Sequence, residues 1–157
     1  LTPGLDASRS TRLDIEIARA GSYDNSIGIY RVDDITGAIM VGDRMINPAD
    51  PDYDRIAVER ARSEGLIFEA PDNMSIEQQT LTLPEASSFG FFLIVDNSAK
   101  NYLAQQDDSI KAFFSYNAAN NDGSQRFASL GNGFYGFEDK DDQDFNDVLM
   151  KLSFAEV

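Results

Sequence analysis

The chain contains no cysteine, no histidine and no tryptophan. Without thiols or imidazoles, thiol nucleophiles, Ser-His triads and the usual zinc sites are excluded. Disulfides cannot staple the fold, so stability has to come from a core or from a bound metal. Such a composition fits a secreted bacterial protein set by metal, and it fits a cytosolic one as well. Positive charge is also scarce: 13 Lys and Arg face 27 Asp and Glu, a formal net charge of −14. That balance argues against nucleic acid and against anionic membrane surfaces as partners. No apolar run is long enough to insert in a bilayer; the longest, Phe89 to Val95, has the length of a strand.

What is present is a core. In 157 residues, 42% are hydrophobic, with eleven Phe and six Tyr, which is the make-up of a folded domain and not of an acidic tail. Residues 1–157 are read as one domain. The chain starts at Leu1 with no initiator Met and no signal peptide, so it is expected to be a monomeric module excised from a larger protein.

Leu13, Ile15 and Ile17 alternate with polar neighbours, the period of a half-buried strand. A turn at 21–26 and a second strand at Ile27–Val32 predict a hairpin with the first. A short strand is expected at Ala38–Val41. Asp50-Pro51 then reads as a helix start, with Tyr53, Ile56, Ala57 and Ala61 at helical spacing and Gly65 as the stop. This single helix, around residues 51–64, is expected to cover a sheet edge or a barrel end. Strands follow at 66–69, 80–83, 89–95, 110–116, 126–130 and 148–154, the last alternating Val148, Met150, Leu152 and Phe154 with Leu149, Lys151 and Ser153. Phe89 to Val95 is apolar on both faces, as in a central strand covered on both sides. The expected fold is mainly β, a calcium-bound, jelly-roll-like β-sandwich with one covering helix.

The chain is organised around Phe134 to Phe154. Within the ten residues Glu138 to Asp147 lie six carboxylates and Asn146, answered only by Lys140. Phe137, Phe145 and Val148 interleave with the acids and tie the loop to a core, so the charges cannot simply splay apart. A hard cation with oxygen ligands resolves that repulsion, and calcium is the expected ion. An EF-hand is ruled out by spacing: counted from Asp139, loop positions 5, 6 and 12 fall on Gln143, Asp144 and Met150. From Asp142, positions 6 and 12 fall on Asp147 and Ser153. The remaining readings are a bare solubilising turn and an irregular sandwich loop whose oxygens converge with other loops. For the latter, expected metal ligands are Glu138, Asp139, Asp141, Asp142, Asp144, Asn146 and Asp147, joined by Asn120, Asp122 and Asp96. Together they exceed the needs of one ion, so two or more calcium ions are expected. Asn25, Asn97 and Asn121 are candidates for ligand contact.

The run Phe137-Glu138-Asp139, then Asp144-Phe145-Asn146-Asp147-Val148, resembles the Phe-Glu-Asp … Asp-Tyr-Asn-Asp-Val signature of a domain of large secreted bacterial proteins. That domain occurs notably toward the C-terminal end of RTX adhesins. Tyr23 to Asp33 and Phe91 to Asp96 are similar to its early hairpin and central strand. The family's Gly-Gly-Asp turn is replaced here by Asp141-Asp142-Gln143-Asp144. The resemblance implies a calcium-stabilised, non-enzymatic module on a bacterial cell surface. Its partners would be the free C-terminal ends of proteins on host or neighbouring cells, captured through calcium–carboxylate coordination. Calcium-dependent carbohydrate binding and a purely structural, calcium-rigidified adhesin domain are the competing expectations.

Overall fold

The computed structural model describes residues 11–19, 23–69, 76–83, 88–140, 142 and 144–156. Eleven strands are described: β1 (Thr11–Arg19), β2 (Ser26–Val32), β3 (Ile39–Val41), β4 (Arg44–Ile46), β5 (Ile67–Glu69), β6 (Ile76–Leu83), β7 (Ser88–Ile94), β8 (Ala112–Phe114), β9 (Phe127–Gly131), β10 (Phe134–Phe137) and β11 (Val148–Glu156). Two helices join them, α1 (Tyr53–Ser63) and α2 (Ala99–Ala104), with a 3₁₀ turn at Asn117–Ala119. The strands form a five-stranded antiparallel sheet in the order β6-β1-β11-β10-β9, a four-stranded one in the order β5-β2-β7-β8, and the small β3-β4 ribbon.

The two large sheets share a core. Leu13, Ile15 and Ile17 of β1 and Val148, Met150 and Leu152 of β11 meet Ile27 and Ile29 of β2 and Phe89, Phe91 and Leu93 of β7. The chain is therefore mainly β and sandwich-like. The alternation read in β1 and β11 is the alternation observed. The expected hairpin between β1 and β2 is not: β1 pairs with β6 and β11, whereas β2 pairs with β5 and β7. Their apolar faces meet across the core instead of lying edge to edge. Pairing with β7 lets β2 bury both of its faces, which a two-stranded hairpin cannot do.

The other face of the four-stranded sheet is covered too, as the composition of β7 predicts. Tyr30, Phe92, Ile94 and Phe114 pack there against Tyr53, Ala57, Val58 and Ala61 of α1. Room for these rings comes from glycines on paired strands: a Cβ on Gly28 would meet the Phe92 ring at 2.0 Å, and one on Gly90 the Tyr30 ring at 2.3 Å. The helix thus covers a sheet face, not an edge. It ends as its sequence predicts, with Gly65 at φ +71° and with Leu66 N–H donating to Ala61 O and Gly65 N–H to Arg62 O. Its start is two residues later than Asp50-Pro51 implies. Asp50 closes a turn, accepting from Asn47 N at 2.7 Å and from Tyr53 N through its carbonyl at 3.0 Å, and Asp52 takes the N-cap position.

A candidate metal centre in the β10–β11 loop

Strands β10 and β11 are antiparallel neighbours, with Phe137 opposite Val148 and both fully buried. The acidic residues between them must therefore leave and re-enter the core within one loop. Among the described residues three are buried with it: Glu138 is 0% exposed, Asp147 6% and Asp139 7%. Asp147 Oδ2 accepts from Asp139 N at 2.8 Å, closing the base of the loop. Glu138 accepts from Lys140 N at 3.0 Å and Phe145 N at 3.2 Å, holding the descending arm. Phe145 carries φ +53°, and its carbonyl lies so close to β10 that a Cβ on Gly136 would meet it at 2.0 Å. Gly136→Ala is therefore expected to push the loop off the sheet and to lower stability by about 1–3 kcal/mol, measurable by urea unfolding.

The electrostatics of this base are unfavourable without a cation. Burial, followed by the neighbouring Asp147 carboxyl, raises Glu138 to about 7. Burial also raises Asp139, partly offset by the Asn25 amide and reinforced by Asp147. Asp139 Oδ1 is buried with no hydrogen-bond partner among the described residues. The Lys140 charge offsets the rise at Asp139 less than the Asn25 amide does; its ammonium lies 4.8 Å from the Tyr23 ring centroid.

Outward from this base, oxygens of Glu138, Asp142 and Asp144 all lie within 4.8 Å of one another. Calcium–oxygen bonds of 2.3–2.6 Å allow two ligands of one ion to be at most about 5 Å apart, so the trio fits a single calcium ion. Glu138 is buried and the two aspartates are exposed. An ion held there would touch the core on one side and solvent on the other. Asn146 is exposed and braces the trio, donating from its backbone N and its Nδ2 to Asp144 at 3.2 and 2.6 Å. Asp141 lies outside the described residues.

The other expected ligands are distributed differently. Asp96 accepts from Asp24 N at 3.0 Å through its carboxylate and is tied to the loop through Asn25, whose Oδ1 accepts from Asp96 N at 2.9 Å and whose Nδ2 donates to Asp139 Oδ2 at 2.8 Å. Asn25 is 1% exposed, so it is a bracket between β2, β7 and the acidic loop and has no face for an external ligand. Asn25→Leu would leave Asp96 N–H and Asp139 without that partner. An expected loss of about 2–3 kcal/mol in chemical denaturation follows. Asn97 Oδ1 accepts from Ser98 N and Asn101 Nδ2, both at the start of α2. Asn120 is buried with its amide bonded to the Phe114 backbone and to Ser124 O, and to no described residue of the acidic loop. Asp122 accepts from Ser124 N and Oγ and from Arg126, which hold its carboxyl down to about 2. Asn121 is exposed at the rim of a cavity beside β8.

Two residues that matter here escaped sequence reading. Arg126 ties the loops together, donating to Lys140 O at 2.6 Å and to Asp122 at 3.1 Å. Gly136 gives the loop its close seat on β10. The lone cation between two acidic segments was the signal for Arg126; for Gly136 there was none.

Residues 83–155 match a domain of unknown function (DUF4114). The match spans β7 to β11 and includes the whole acidic loop, but under half of the chain. Comparison with curated proteins and with solved structures gave no significant match.

Proposed function

We propose that the domain is a calcium-dependent binding module whose outer ion, on Glu138, Asp142 and Asp144, presents open coordination positions to the carboxylate of a partner. The observation that carries this reading is the placement of that trio, with one ligand in the core and two at the surface. Calcium takes six to eight oxygens. Three carboxylates that supply one oxygen each leave at least three positions to water or to a ligand. An ion there also makes anion binding possible on a chain that carries −14 and would otherwise repel a carboxylate. A second ion beside Asp147 and Asp139 Oδ1, which has no partner among the described residues, would relieve the buried repulsion.

Together with the resemblance of the loop to the adhesin domain, this makes the free C-terminal end of a protein on another cell the proposed partner. The domain would then act at the bacterial cell surface as part of a secreted adhesin, without catalysis. Peptides with free and amidated C-termini should be titrated in calcium and in EDTA. Free-acid peptides should bind in calcium only, and amidation should abolish binding. Equal binding of acid and amide would remove the carboxylate from the account. The buried trio Glu138, Asp139 and Asp147 favours a second reading, a calcium-rigidified spacer. It predicts stabilisation by calcium with neither peptide bound.

A further inference from the structure

Antiparallel pairing alternates residues whose backbone groups face the partner strand with residues whose groups face away. On β8, the bonds Val95 N to Lys111 O and Ser115 N to Phe91 O, each 2.9 Å, set that alternation. Ile110, Ala112 and Phe114 therefore turn their N–H and C=O groups outward, on the open edge of the four-stranded sheet.

Two of these three are closed by side-chain amides that imitate a neighbouring strand. Gln105 Oε1 accepts from Ile110 N at 2.7 Å while its Nε2 donates to Ile110 O at 3.1 Å. Asn120 Oδ1 accepts from Phe114 N at 2.7 Å while its Nδ2 donates to Phe114 O at 3.1 Å. Between them, Ala112 N–H and C=O have no partner among the described residues. The gap opens into a cavity of about 580 Å³, lined by β8, Gln105 and Asn120.

We propose that this gap is a docking slot for an extended peptide segment of a partner protein, which pairs its backbone with Ala112 and carries basic side chains. A free N–H and C=O at strand geometry are complementary to the same two groups of an extended chain. The two amides flanking Ala112 fix where that chain can pair and limit the pairing to one residue. The wall supplies the charge preference. Asp50, Asp54 and Asp108 line the cavity beside Arg55 and Lys111, while a fourth acid of the wall, Asp122, is paired with Arg126. Both cations are already bonded to backbone carbonyls, Arg55 to Leu103 O and Lys111 to Asp108 O. The slot needs no ion and does not depend on the calcium reading.

The test uses the blocked peptide acetyl-Thr-Lys-Ala-Lys-Thr-amide, which has no free carboxylate for calcium to capture, titrated into the ¹⁵N-labelled domain in calcium. In the free domain the Ala112 amide should exchange faster than those of Phe113 and Phe114. On saturation its exchange should slow by about tenfold or more. A peptide N-methylated at the central Ala should bind about tenfold more weakly, because it loses one backbone hydrogen bond. The same peptide with Glu in place of Lys should not bind. The proposal is overturned by unchanged Ala112 exchange at millimolar peptide, by equal binding of the N-methylated or acidic peptide, or by Ala112 protection that rises with protein concentration. The last result would assign the edge to a second copy of the chain.

Discussion

In about 10 mM calcium the domain is expected to melt about 5–11 °C above its midpoint in EDTA. The magnitude follows from linkage: an ion that binds only the folded state adds RT ln(1 + [L]/Kd), about 2.7 kcal/mol when the ion is at 100 times Kd. Extracellular calcium modules commonly bind at about 10⁻⁴–10⁻³ M, so roughly 10 mM calcium reaches that ratio at the tighter end. For a domain of this size, 1 kcal/mol moves the midpoint by about 2–4 °C. A second ion would raise the shift further. Differential scanning calorimetry in the two buffers reads the effect directly. The physical origin lies in the base of the loop, where Glu138, Asp139 and Asp147 are buried together and Asp139 Oδ1 has no partner among the described residues. A divalent cation converts that mutual repulsion into coordination.

Replacing one atom should remove most of that gain. Glu138 is the one residue common to the buried base and the outer trio. Glu138→Gln keeps the shape but supplies a neutral carbonyl in place of a carboxylate. The calcium-induced rise in melting temperature is expected to fall to within about 2 °C, and calcium-dependent binding of free-acid peptides should disappear with it. In EDTA the same variant should lie within about 1 kcal/mol of the parent, because losing a buried charge offsets losing an acceptor for Lys140 N or Phe145 N. Calorimetry on both proteins in both buffers separates the two contributions. A variant that loses stability equally with and without calcium would show that Glu138 serves the fold alone.

How far the sequence carried depends on how local each signal was. The alternation in β1 and β11 and the Gly65 stop of α1 report burial and backbone conformation of neighbouring residues, and the structure follows them. Strand partners are not local. β1 and β2 follow each other in the chain but belong to different sheets, because β7, over fifty residues later, offers β2 a second buried face. The acidic loop was legible as a cluster, since repulsion among six carboxylates beside Phe137 and Val148 needs no tertiary knowledge. Its helpers were not. Asn25, Asn97, Asn120 and Asn121 look alike in sequence, and Asn residues favour turns whatever else they do. Only the fold shows Asn25 bracing Asp139, Asn120 closing the edge of β8, and Asn97 ordering the start of α2. Gln105 carried no signal at all, because its role is to complete a strand edge that it does not belong to.

Glu138, Asp142 and Asp144 are proposed to hold calcium. Long-wavelength anomalous diffraction from crystals grown in millimolar calcium tests it most directly. An anomalous peak is expected about 2.3–2.6 Å from a carboxylate oxygen of each of the three residues, with further coordination positions facing solvent. Well-ordered density for the loop with no anomalous peak among those oxygens would contradict it.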